Sequence, residues 1–100
     1  MQHFEIPIHF RHVRATPFWN KETVLQDLLN QRNDTQDRYV RLSVMQGAIK
    51  CYDFITEHDA MPGDEAEIKA GRFITLPPQH WYNIEMLSDD TYFNLDYYAV

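Results

Sequence analysis

Gly71 to Tyr98, GRFITLPPQHWYNIEMLSDDTYFNLDYY, is the stretch on which the reading of this 100-residue chain turns. Pro77-Pro78 and Ser88-Asp89-Asp90 interrupt it, leaving two or three short apolar runs between turn residues. In the last run Thr91, Phe93, Leu95 and Tyr97 alternate with Tyr92, Asn94, Asp96 and Tyr98. A period of two sends alternate side chains to opposite faces of a strand, so the first, mostly apolar set is expected to face a core. His80 and Trp81 sit side by side at the centre of the stretch.

Upstream, Tyr39 to Phe54 (YVRLSVMQGAIKCYDF) carries the second strong β signal, with Val40, Leu42 and Val44 alternating with Arg41, Ser43 and Met45. Gln46-Gly47 allows a bend because glycine accepts positive φ, and Ile49 to Phe54 follows as a partner strand. Residues 56–71 form an acidic connection with a turn at Pro62-Gly63 and room for a brief strand at Glu67-Ile68-Lys69. Near the start, Phe4, Ile6 and Ile8 alternate with Glu5, Pro7 and His9. Pro7 lacks a donor, which confines such a strand to a sheet edge, and Thr16-Pro17 ends it. Residues 22–33 (ETVLQDLLNQRN) fit either a short helix or helical turn near 22–29, or a turn followed by a strand. Asn33 to Asp37 is a turn-rich polar cluster. Seven or so short strands between regular turns predict a single all-β domain over residues 1–100, an antiparallel sandwich or small barrel.

Nine Lys/Arg against fifteen Asp/Glu give a net charge of −6, which argues against binding nucleic-acid phosphates. The charge is uneven: residues 1–50 hold seven Lys/Arg and five Asp/Glu, residues 51–100 two and ten. This acidic half reads as a solvated surface. A single cysteine, Cys51, excludes an internal disulfide, suits a reducing compartment and, in an apolar run, reads as a buried thiol. The N-terminal residues contain no long apolar segment, so neither a secretory signal nor a membrane span is expected, and the cytoplasm is the expected location. His3, His9 and His12 form no metal-ligand spacing, since residues three apart fall on opposite faces of a strand.

The runs Thr16-Pro17-Phe18-Trp19-Asn20-Lys21, Arg41-Leu42-Ser43-Val44-Met45-Gln46-Gly47, Pro77-Pro78-Gln79-His80-Trp81-Tyr82-Asn83-Ile84-Glu85 and Ser88-Asp89-Asp90-Thr91-Tyr92-Phe93-Asn94-Leu95-Asp96 resemble the TehB/YeaR-like domain family, associated with tellurite resistance. The resemblance implies a cupin-like β-sandwich or barrel of jelly-roll type and a link to oxyanion or nitrosative stress. Some members of that family carry the domain before a methyltransferase that uses S-adenosylmethionine. No such activity is expected here, because Gly47, Gly63 and Gly71 never cluster into a nucleotide loop.

Metal-dependent cupins, as the resemblance implies, hold a transition metal with three His and one Glu. Counting from Gly47, Gly71 and Pro77, those positions fall on Val40, among Asn33, Asp34, Thr35 and Gln36, and on Tyr82, with no histidine among them. If Val40 and Tyr82 face inward, so do Leu42, Val44, Ile84 and Met86, giving an apolar interior with one polar handle, the Tyr82 hydroxyl. The expected cofactor is therefore none. The alternative is a divalent transition metal held at a site rebuilt around His80, with Glu85 or Asp96. Trp81 is either a core anchor or a stacking platform at a pocket mouth. Arg41, Lys50 and Arg72 are the cations of the central strands, able to attract a small oxyanion. The candidate ligand-binding residues are thus His80, Trp81, Tyr82, Tyr97 and Arg41. The expected function is binding of a small ligand or oxyanion without catalysis. Two alternatives stand beside it, a metal-dependent enzyme and a structural homodimer joined through the aromatic strand Tyr92–Tyr98.

Overall fold

The computed structural model describes residues 4–100; His3, named above with His9 and His12, lies outside them. The elements are β1 (Arg11–Ala15), α1 (Gln26–Asn30), β2 (Asn33–Asp34), β3 (Tyr39–Gln46), β4 (Ala48–Phe54), β5 (Asp64–Lys69), β6 (Arg72–Leu76), β7 (Trp81–Met86) and β8 (Tyr92–Ala99). They form two four-stranded antiparallel sheets, sheet I in the order β1-β8-β3-β6 and sheet II in the order β2-β7-β4-β5. Eight strands wound in this order make a jelly-roll sandwich. Among the described residues no helix is long and apolar enough to cross a membrane.

The alternation seen in the sequence sets the interior. Val40, Leu42 and Val44 of β3 lie directly opposite Tyr97, Leu95 and Phe93 of β8. Ile49 and Cys51 of β4 lie opposite Met86 and Ile84 of β7. These rows, with Ile68 and Leu76, fill the space between the sheets, and Val40, Leu42, Ile49, Cys51, Phe93 and Leu95 are completely buried. Burying each of the larger side chains contributes about 1.5–3 kcal/mol. Trp19 seals one side of the core, its backbone exchanging hydrogen bonds with Phe93 and its ring meeting Phe93 edge-on at 5.8 Å.

The short helix is real but begins later than residue 22. Asn20 folds residues 20–24 into a turn, its side-chain oxygen accepting the amides of Glu22 and Thr23 at 2.9 and 3.0 Å. Only then does α1 start, placing Leu28 in the core and packing against β7. Two expectations need correction. Phe4 to His9 forms no strand; Pro7 sits in a turn closed by the Phe10 amide on the Pro7 carbonyl (3.0 Å), and the edge strand is β1. Nor are β3 and β4 paired, since they belong to opposite sheets. The single residue between them, Gly47 at φ 74°, makes a corner from one sheet to the other, too tight for a hairpin. Gly71, at φ 83°, carries the chain back from sheet II to sheet I.

Candidate functional site

At one end of the sandwich the inward rows stop being apolar. Asp53 continues the row of Ile49 and Cys51, Tyr82 opens the row of Ile84 and Met86, and Tyr97 closes the row of Phe93 and Leu95. Asp53 and Tyr82 are direct cross-strand partners. Arg38, two residues before Val40, sets its guanidinium over the Tyr97 ring at 4.6 Å, with Arg14 at 5.7 Å from the same ring. His80, just before β7, points Nδ1 at Asp53, 2.8 and 3.1 Å from the two carboxylate oxygens. A carboxylate can only accept. Nδ1 therefore carries the hydrogen and donates it, which leaves Nε2 as the nitrogen available to a ligand.

The loop holding His80 is clamped from the β2–β3 connection. The Thr35 hydroxyl, fully buried, donates to the Pro77 carbonyl at 2.9 Å and accepts the His80 amide at 3.0 Å. The Thr35 amide donates to the His80 carbonyl, and the Gln79 amide to the Gln36 carbonyl. Gln36 and Gln79 both adopt left-handed backbone, at φ 57° and 63°. Such conformations cost side-chain-bearing residues of order 1–3 kcal/mol and persist only where surrounding bonds impose them. The strain is concentrated on the turns that place His80.

Electrostatics follow from burial. Burial pushes the Tyr82 hydroxyl far above its ordinary range, the neighbouring Tyr97 phenol pushes the same way, and Arg38 opposes them. Tyr82 is therefore a hydroxyl donor at any working pH. Burial also raises the Cys51 thiol to about 12, with the Asp53 charge adding to the effect. The Nε of Arg38 is buried without an acceptor among the described residues. The Phe4 ring meets His80 edge-on at 6.5 Å. Three surface hollows are lined by other residues and lie away from it.

Of the five residues expected to bind a ligand, His80, Tyr82 and Tyr97 converge here. Trp81 does not: it is half-buried on the outer face of sheet II, opposite Phe54 and outside the core. Arg41 lies on the outer face of sheet I between Phe73 and Tyr98, with ring distances of 4.7 and 5.4 Å. Glu85 projects from sheet II, where it accepts the Tyr52 hydroxyl at 3.0 Å, and Asp96 on sheet I accepts His12 at 2.9 Å. Neither carboxylate meets His80. Among the described residues no three His, Cys, Asp or Glu side chains come together closely enough to hold a metal. Two donors, His80 and Asp53, with a thiol that keeps its proton, do not fit a metal of the three-His, one-carboxylate kind.

Asp53 and Arg38 escaped the sequence reading, although a signal existed for each. Each occupies an inward parity position at a strand end, where a charge interrupts an apolar row.

Fold and site together define an all-β sandwich domain with a packed apolar interior and one polar end, compatible with the cupin-like type implied above. Within that class the chain belongs to the TehB-like domain family, whose profile matches residues 14–95. It is 44% identical over 98 residues to the uncharacterized protein YeaR of Escherichia coli (strain K12), covering 95% of this chain and 82% of YeaR. The crystal structure of an Escherichia coli (strain K12) protein superposes with a TM-score of 0.89 at 42% identity, covering 97% of each chain. The chain is also 28% identical, over 86% of its length, to the probable S-adenosyl-L-methionine-dependent methyltransferase TehB of Haemophilus influenzae, but that match spans 30% of TehB. The crystal structure of TehB from Haemophilus influenzae superposes on 90% of this chain and 31% of its own, with a TM-score of 0.77 and 25% identity.

Proposed function

We propose that this chain is a metal-free binding domain for a small anionic ligand, held between Arg38, Tyr82, Tyr97 and His80. The observation that carries the reading is Arg38: a guanidinium at the end of an apolar interior, its Nε buried and without an acceptor among the described residues. Hydrogen bonds from a cation to an oxyanion are about twice as strong as neutral ones. The Tyr82 and Tyr97 phenols stand beside it as further donors, while the imidazole, whose Nδ1 hydrogen goes to Asp53, turns Nε2 to the site as an acceptor. A receptor for small oxyanions suits the oxyanion or nitrosative stress setting, tellurite included, that the family resemblance implies, and the lone reduced cysteine suits the cytoplasm. The methyl transfer in TehB's name belongs, on this reading, to the part of TehB outside the shared domain.

The test is a titration of the ¹⁵N-labelled protein with nitrite, acetate and phosphate as probes. Saturable shifts are expected for the amides of His80, Tyr82 and Tyr97 with at least one of them. Arg38→Gln should weaken that binding about 10- to 100-fold, the worth of one or two charge-assisted bonds. Arg41→Gln should leave it unchanged. No saturable shift with any probe, or an affinity indifferent to Arg38→Gln, would overturn the proposal.

A further inference from the structure

A second cation with an unpaired nitrogen lies on the opposite face of sheet I, one register position along from the Val40–Tyr97 pair. Arg41 faces outward from β3, gripped between the Phe73 and Tyr98 rings. Among the described residues its Nε is buried without an acceptor, and the hydroxyl of Thr75, its cross-strand neighbour, is buried without a partner. On its other side the cross-strand neighbour is Asp96. That carboxylate turns to His12 at 2.9 Å instead of pairing with Arg41. Around these groups stand exposed apolar side chains: Phe73 is 48% and Met45 58% accessible, and both line one hollow with Phe18 and Arg72. Tyr, Phe, Met and Arg together are the composition of an interface core.

We infer that the outer face of sheet I is the interface of a two-fold symmetric homodimer, in which Arg41 of each copy pairs with Asp96 of the other. A two-fold interface brings residue i onto residue j of the partner and j onto i, so a face presenting a cation and a carboxylate side by side complements itself. The same juxtaposition disfavours other occupants. An acidic partner arriving at Arg41 would meet the Asp96 charge next to it and bring no cation for that carboxylate. A second copy supplies a carboxylate to Arg41 and, in the same movement, a guanidinium to Asp96. It also covers Phe73 and Tyr98.

Charge reversal tests this in a way that a folding defect cannot imitate. Light scattering on the wild type at micromolar concentration should give the dimer mass. Arg41→Asp and Asp96→Arg, each verified as folded by circular dichroism, place like charges across the axis and should raise the dimer dissociation constant about a hundredfold. Mixed in equal amounts, the two variants present opposite charges at both contacts and should form a heterodimer. A wild type that stays monomeric, variants that remain dimeric, or a mixture that stays monomeric would each refute the assignment.

Discussion

At the scale of single residues, the interior is apolar to the point of altering the chemistry of what it encloses. Cys51 shows this most simply, because it is completely buried and free. Its thiol ionises near 9.0 in the open chain and at about 12 in the folded one. A group whose folded value is raised contributes stability that is whole below the unfolded value and is lost as pH climbs through the folded one. Urea unfolding of the wild type should therefore lose stability above pH 9 relative to Cys51→Ala, with a slope approaching about 1.4 kcal/mol per pH unit. At neutral pH the variant should itself be the weaker protein, since it leaves a small cavity. Parallel pH curves for the two would show that the thiol is not desolvated in solution. The same desolvation keeps the Tyr82 hydroxyl protonated, so the polar end offers a ligand donors at the Arg38, Tyr82 and Tyr97 side chains.

At the scale of elements, two one-way corners decide whether the strands can form two sheets. Gly47 and Gly71 both have positive φ, yet their surroundings differ. A methyl group on Gly47 would lie 2.5 Å from the Ser88 hydroxyl and 2.7 Å from the Thr91 backbone, whereas at Gly71 nothing lies within 4 Å. Gly71→Ala therefore carries only the left-handed backbone penalty, about 1–2 kcal/mol. Gly47→Ala adds about 1–3 kcal/mol of overpacking against backbone that cannot move aside. Thermal unfolding should rank them in that order; equal losses would mean that the Ser88–Thr91 loop yields. Gly47 was legible in the sequence as a bend, and so were the inward rows at 40–44, 82–86 and 91–97, because a strand's alternation is a local property. The parity that sends Tyr82 inward sends Trp81 outward, against the expectation of a core anchor or a stacking platform at a pocket mouth. The pairing of strands was not legible. Alternation fixes the faces of a strand and says nothing about its neighbour, so neither the separation of β3 from β4 nor the meeting of Asp53 with His80 is written in it. The missing N-terminal strand has a separate cause: Pro7 closes a turn, and the Phe4 and Phe10 rings dock onto His80 and Tyr39.

At the scale of the whole molecule, the strand order makes the two halves of the chain useless apart. Each of the six pairings, β1–β8, β2–β7, β3–β6, β3–β8, β4–β5 and β4–β7, joins a strand before residue 60 to one after it. Cleavage at the exposed Ala60-Met61 bond consequently leaves two fragments, neither of which contains a paired strand. An unpaired strand has no ladder to satisfy its backbone groups and only half a core to bury, so neither fragment can offset the entropy of ordering itself. Fragments 1–60 and 61–100 should each lack a β-sheet circular dichroism signal. Mixed at high micromolar concentration they should regain it together with the buried environment of Trp19, whose ring packs on Phe93 from the other fragment. The complex should be less stable than the intact chain by the translational and rotational freedom lost on association, about 4–15 kcal/mol at the standard state, so its melting should depend on concentration. Cooperative folding of either fragment alone would contradict the interleaved pairing. Mixing without recovery would show that the Ala60-Met61 connection does more than join β4 to β5.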